Sequence, residues 1–159
     1  MARLTGYDRA AAVRYAEKWA LRRNPEYADF TPLGGDCTNF VSQCLYAGSR
    51  LMNPTPDTGW YFRSMGSRAP AWSGVKFLHR FLTRASGAGP KGEKSQVSSL
   101  LPGDVVFLSD GNRLYHALFV VAAGENPMVA AHTADSWMRP LSTYYYEEAV
   151  PVHILGVIR

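Results

Sequence analysis

Gly34-Gly35-Asp36-Cys37-Thr38-Asn39-Phe40-Val41-Ser42-Gln43-Cys44 turns a loop into a helix and opens that helix on a cysteine. From Cys37 to Tyr46, Phe40, Val41, Cys44 and Leu45 fall on one apolar stripe, and Gly48 reads as a C-terminal stop. A helix N-terminus presents unpaired amides and the positive end of the helix dipole, which favour a thiolate. The two glycines let the backbone turn sharply and approach a ligand, and the Cys37 amide is placed to donate to an oxyanion. Cys37 is therefore the candidate nucleophile; the bland alternative is a small buried apolar residue. Cys44, two turns deeper on the same stripe, reads as packing.

The two cysteines are seven residues apart on one helix, roughly 10 Å at ~1.5 Å per residue, which is too far for a disulfide. Two cysteines are also too few for a disulfide framework or a cysteine-rich zinc site. We expect free thiols and no cofactor.

Upstream, Asp8 caps a predicted helix over Asp8 to Arg23, with Val13, Ala16, Trp19 and Ala20 at helical spacing and Asn24-Pro25 ending it. Downstream, Arg50 to Pro70 is an irregular excursion, and Trp72 to Arg84 is a third helix. Ala85 to Ser99 is a connection rich in Gly, Ser and Lys. The β-prone runs Val105 to Leu108, Ala117 to Ala123, Met128 to Ala131 and Val150 to Ile158 follow, separated by turn residues. Helices followed by strands make an α+β fold, N-terminal helices packed on a C-terminal antiparallel sheet, in one domain over 1–159.

A chain of 159 residues, 47% hydrophobic and 13% aromatic, buries a core of ordinary size and is not disordered. The net charge of +4 is spread without a basic stripe, so we expect no nucleic-acid partner. No apolar run reaches the ~18 residues of a membrane span, and Met1 to Asp8 lacks the apolar core of a signal peptide. Neither compartment nor oligomeric state is written in the sequence.

A nucleophilic cysteine needs a base from elsewhere in the chain. His79 reads as solvated beside Lys76 and Arg80, and His153 lies in the last strand. His116 opens the strand Ala117 to Ala123 after the polar loop Asp110-Gly111-Asn112-Arg113, a position that projects a side chain into a cleft. His132 ends the next strand and is the candidate orienter of His116. A symmetric turn at Glu125-Asn126 would instead set Asp135 opposite His116; a bulge near Pro127 would favour His132.

The Gly34 to Cys44 stretch resembles the signature of the putative amidase domain family. Trp72-Ser73-Gly74-Val75, Leu101-Pro102-Gly103-Asp104-Val105-Val106, Tyr115-His116-Ala117 and His132-Thr133-Ala134-Asp135 match that family's landmarks in order. The family is similar to the NlpC/P60 and CHAP cell-wall hydrolases. The resemblance implies a papain-like fold and cleavage of amide bonds in peptidoglycan stem peptides, with Cys37 as nucleophile, His116 as base and His132 as third member. Three other readings use the same residues or neighbours. They are acyl transfer to an amine, a peptide- or glycan-binding module built on Trp60, Tyr61, Phe62 and Trp137, and a zinc site of Cys37, His116 and His132.

Overall fold

The structure, a computed structural model, describes residues 2–159. The Asp8 carboxylate accepts from the Ala11 amide at 3.0 Å and starts α1 (Arg9–Trp19). This helix ends four residues short of the Arg23 expected. The Trp19 carbonyl accepts from the Arg22 amide and the His132 ring rather than from the amide of a continuing helix.

Helix α2 runs from Cys37 to Ser49, through Gly48 rather than stopping at it; Arg50, at φ 57°, makes the left-handed cap. Gly48 serves a close approach instead. A Cβ there would lie 2.5 Å from the Tyr7 ring and 2.8 Å from the Asp8 carbonyl oxygen, and the Gly48 carbonyl accepts from the Asp8 amide. The predicted third helix is two, α3 (Pro70–Ser73) and α4 (Val75–Leu82), separated at Gly74, whose backbone is extended.

The helices cover one face of a seven-stranded antiparallel sheet. Its strands are β1 (Leu4–Thr5), β4 (Gly89–Lys94), β5 (Val105–Ser109), β6 (Leu114–Ala122), β7 (Met128–Ala131), β8 (Ser136–Pro140) and β9 (Glu148–Ile158); β2 (Phe62–Ser64) and β3 (Ser67–Arg68) form a separate ribbon. The α+β expectation holds, with β1, β4 and β8 added. Strand β4 shows no apolar alternation, yet it pairs with β9 because Gly92 leaves room: a Cβ there would meet Val152 at 2.6 Å.

Side-chain alternation divides the sheet's interior in two. Val105, Phe107, Ala117, Phe119 and Val152 join Cys37, Phe40, Val41 and Cys44 in the core beneath the helices. Val106, Leu108, Leu118, Val120 and Val129 form a smaller core on the far face, closed by Leu100, Leu141 and Tyr144. Trp60 and Trp72 are fully buried, with ring centroids 4.9 Å apart. The Trp60 indole donates to Ser42, whose hydroxyl donates to the Trp72 carbonyl. Trp60 thus belongs to the core and is no part of an exposed ligand platform.

Candidate active site

Gly34 (φ 106°) and Gly35 (φ 124°) take left-handed backbone that other residues adopt only under strain. They deliver Asp36 to a buried position, where its amide donates to the Thr133 hydroxyl at 3.1 Å. One carboxylate oxygen accepts from the Phe30 amide at 2.7 Å and the Asn39 side chain at 2.9 Å. The other faces His132 Nδ1 at 2.5 Å and Arg23 Nε at 3.4 Å.

His132 is buried, stacks on Phe40 with centroids 4.2 Å apart, and directs Nε2 at the Trp19 carbonyl at 2.8 Å. Each ring nitrogen thus has an acceptor of its own, the Asp36 carboxylate on one side and the Trp19 carbonyl on the other. The pair bolts the end of α1, the loop before Cys37 and the end of β7 together.

Cys37 follows at the start of α2, 8% exposed. Its Sγ lies 3.8 Å from the Thr38 hydroxyl, and the Ala117 amide is near enough to favour the thiolate. Burial pushes the thiol up, and the Ala117 and Thr38 donors only partly oppose it. The thiolate expected of a helix N-terminus is thus outweighed by desolvation in this arrangement. Cys44 is free, fully buried and pushed further up, as a packing residue is.

Ala117 adjoins His116, so α2 brings the candidate nucleophile to the strand that carries the candidate base. The ring itself points elsewhere. His116 pairs across the sheet with Leu108, a far-face residue, beside a bulge at Tyr115. Its ring lies 5.8 Å from that of Tyr144 and 6.4 Å from that of Tyr115. Among the described residues no hydrogen bond joins it to Cys37 or to any other group. Burial first, and then the Arg139 guanidinium, push His116 down to about 4, so the imidazole is neutral at pH 7.

The two candidate orienters are engaged elsewhere. The β6–β7 register shifts between Val120 and Ala122, as the bulged alternative requires, but β7 ends at Ala131. Thr133 and Ala134, both with positive φ, curl the chain so that His132 meets Asp36 rather than His116. Asp135 is held in a two-point ion pair by Arg23, at 2.8 and 3.1 Å. With both His132 nitrogens occupied, Cys37, His116 and His132 do not assemble as zinc ligands. No group of three or more metal-binding side chains converges among the described residues.

Sequence reasoning missed Arg139 and Tyr144 as the neighbours of His116, and Asp36 as the partner of His132. Of the tyrosine run, Tyr144 packs on the far-face core, whereas Tyr145 is 96% exposed and its carbonyl accepts from the Tyr115 hydroxyl. No helix among the described residues is long and apolar enough to cross a membrane.

Comparison with known proteins gives the geometry a context. The profile of the family described as "Putative amidase domain" matches residues 6–155. The "Uncharacterized protein YhbB" of Bacillus subtilis (strain 168) is 38% identical over 140 residues, which is 84% of this chain and 43% of that protein. The "Uncharacterized protein YjcM" of the same strain is 32% identical over 109 residues, 69% of this chain and 24% of that protein. The chain thus spans less than half the length of either relative. No solved structure matches it.

Proposed function

We propose that this chain, which belongs to the putative amidase domain family and so to a group whose designation is amide hydrolysis, cuts amide bonds by a cysteine mechanism. The observation that carries the reading is Cys37 at the first turn of α2 with its Sγ against the Ala117 amide, on the strand where His116 stands. The thiol becomes a nucleophile only when its proton leaves. A neutral imidazole is the form that can take that proton, and His116 is neutral at pH 7. The Cys37 sulfur then bonds to the substrate carbonyl carbon, the amine departs with the proton from His116, and water releases the acid from the thioester. The Cys37 amide, which has no partner among the described residues, is the first donor to the oxyanion. Catalytic hydrogen bonds commonly tighten only when substrate is bound, and this reading requires the His116 ring, which rests beside Tyr115 and Tyr144, to turn towards Cys37. Asp36 and His132 act as positioning residues for the Cys37 turn.

A papain-like fold and a wall-peptide substrate are the finer part of this proposal. They are supported by the likeness of motif order to NlpC/P60 and CHAP hydrolases. An acyltransferase would use the same pair, with an amine in place of water. One observation favours a second reading, a peptide-binding module without turnover: the resting thiol is buried, pushed up and unpaired with any imidazole.

Amine release from a soluble wall-type peptide, measured with wild type and Cys37→Ala, separates the two. Hydrolysis predicts a loss of at least about 10³-fold in Cys37→Ala. Equal rates would end the cysteine mechanism. Peptide binding that persists in Cys37→Ala, with no turnover in wild type, would install the binding module.

A further inference from the structure

On the helix-covered face of the sheet, α4 stands off from β4 and β9 and leaves a cleft of about 550 Å³. His79 forms one wall, its ring edge-on to Phe107 with centroids 5.2 Å apart. Val150 and Val152 line the floor. Cross-strand pairing fixes which side chains rise from that floor. Lys94 pairs with Val152, a core residue under the helices, and Glu148 shares the face of Val150, two residues along β9. Both therefore stand on the α4 side.

Among the described residues, the His79 ring, the Lys94 ammonium and the Glu148 carboxylate make no hydrogen bond or ion pair. The neighbouring Lys91 ammonium is spent on the Arg84 carbonyl, and Glu93, opposite His153, belongs to the other face. The cleft thus offers one cation, one anion and one imidazole above an apolar floor, which is the composition of a small-molecule site. Burial holds His79 below its ordinary value, so the ring keeps a lone pair at neutral pH.

We propose that this cleft is a second binding site, for a zwitterionic amino acid or short peptide with free termini. The carboxylate is held by Lys94, the ammonium by Glu148, and the short apolar part lies on Val150 and Val152 with His79 closing over it. Lys94 and Glu148 are both exposed at the rim, and a zwitterion is the ligand that meets both of them, where a single-sign ligand meets one. Cys37 is not among the residues that line it.

Calorimetric titration of the whole chain with alanyl-alanine, its N-acetyl form and its C-terminal amide tests the assignment. The free dipeptide should bind saturably, and each blocking group should weaken it about tenfold, as loss of one charge-assisted hydrogen bond does. Glu148→Gln and Lys94→Met, both at the cleft rim, should each do the same, and His79→Ala should weaken all three ligands together. Cys37→Ala should bind as wild type does. Absence of saturable binding, equal binding of the blocked forms, an unaffected Glu148→Gln variant, or loss of binding in Cys37→Ala would each overturn the proposal.

Discussion

His116 stands on β6 and His132 just past the end of the neighbouring β7, yet they live under opposite rules. Every polar atom around His132 is matched: a carboxylate on one nitrogen, a carbonyl on the other, an aromatic ring on its face. Around His116 nothing is matched; the ring is desolvated, faces a guanidinium and has no hydrogen bond. Matched polar groups resist change, because removing one strands the others. An unmatched imidazole held near 4 keeps its lone pair free and resists the proton until its surroundings change. The first surrounding holds its ring in place, and the second leaves its ring without a polar partner.

The comparison breaks most visibly in activity. His116→Ala should lower amide hydrolysis by about 10²–10⁴-fold while leaving thermal unfolding nearly where it was, since no hydrogen bond is lost. Comparable rates in wild type and variant would remove His116 from the chemistry. Stability should show the reverse pattern. His132→Ala leaves the buried Asp36 carboxylate facing a void and should cost about 3–5 kcal/mol in urea unfolding. A cost below about 1 kcal/mol would mean that the bolt is ornamental.

Acid sharpens the contrast further. His116 is about 4 folded against about 6.5 unfolded, so the unfolded chain binds the extra proton first. Stability attached to this group is full above pH 6.5 and drains as pH falls towards 4, by on the order of 3 kcal/mol in total. In unfolding followed between pH 7 and pH 4, His116→Gln should lose less than wild type. Parallel pH curves would show that the ring titrates as an exposed one does.

Local signals carried much of this into the sequence. The glycine pair before Cys37 has the backbone only glycine takes easily, and α2, β5, β6, β7 and β9 follow from the period of their apolar residues. What stayed hidden depends on partners distant along the chain. Asp36 and His132 are separated by 96 positions, and no local pattern says that a turn at Thr133 and Ala134 will fold one onto the other. Strand β4, with two glycines and a proline in six residues, becomes a strand only because β9 offers an edge. The direction of the His116 ring hangs on the single extra residue at Tyr115, a detail below the resolution of any alternation pattern.

The length of β9 also has a bearing on how the molecule is made. Its eleven residues pair with β4 on one edge and with β5 and β1 on the other, and they follow all three in the chain. During synthesis β4 and β5 therefore leave the ribosome with unsatisfied edges, and the sheet closes only when the segment from Glu148 to Ile158 arrives. Until then the nascent protein exposes Val105-Val106-Phe107-Leu108 beside an empty place, a segment suited to joining another unfinished copy. The interval between β5 and β9 is the period in which a chaperone has most to protect.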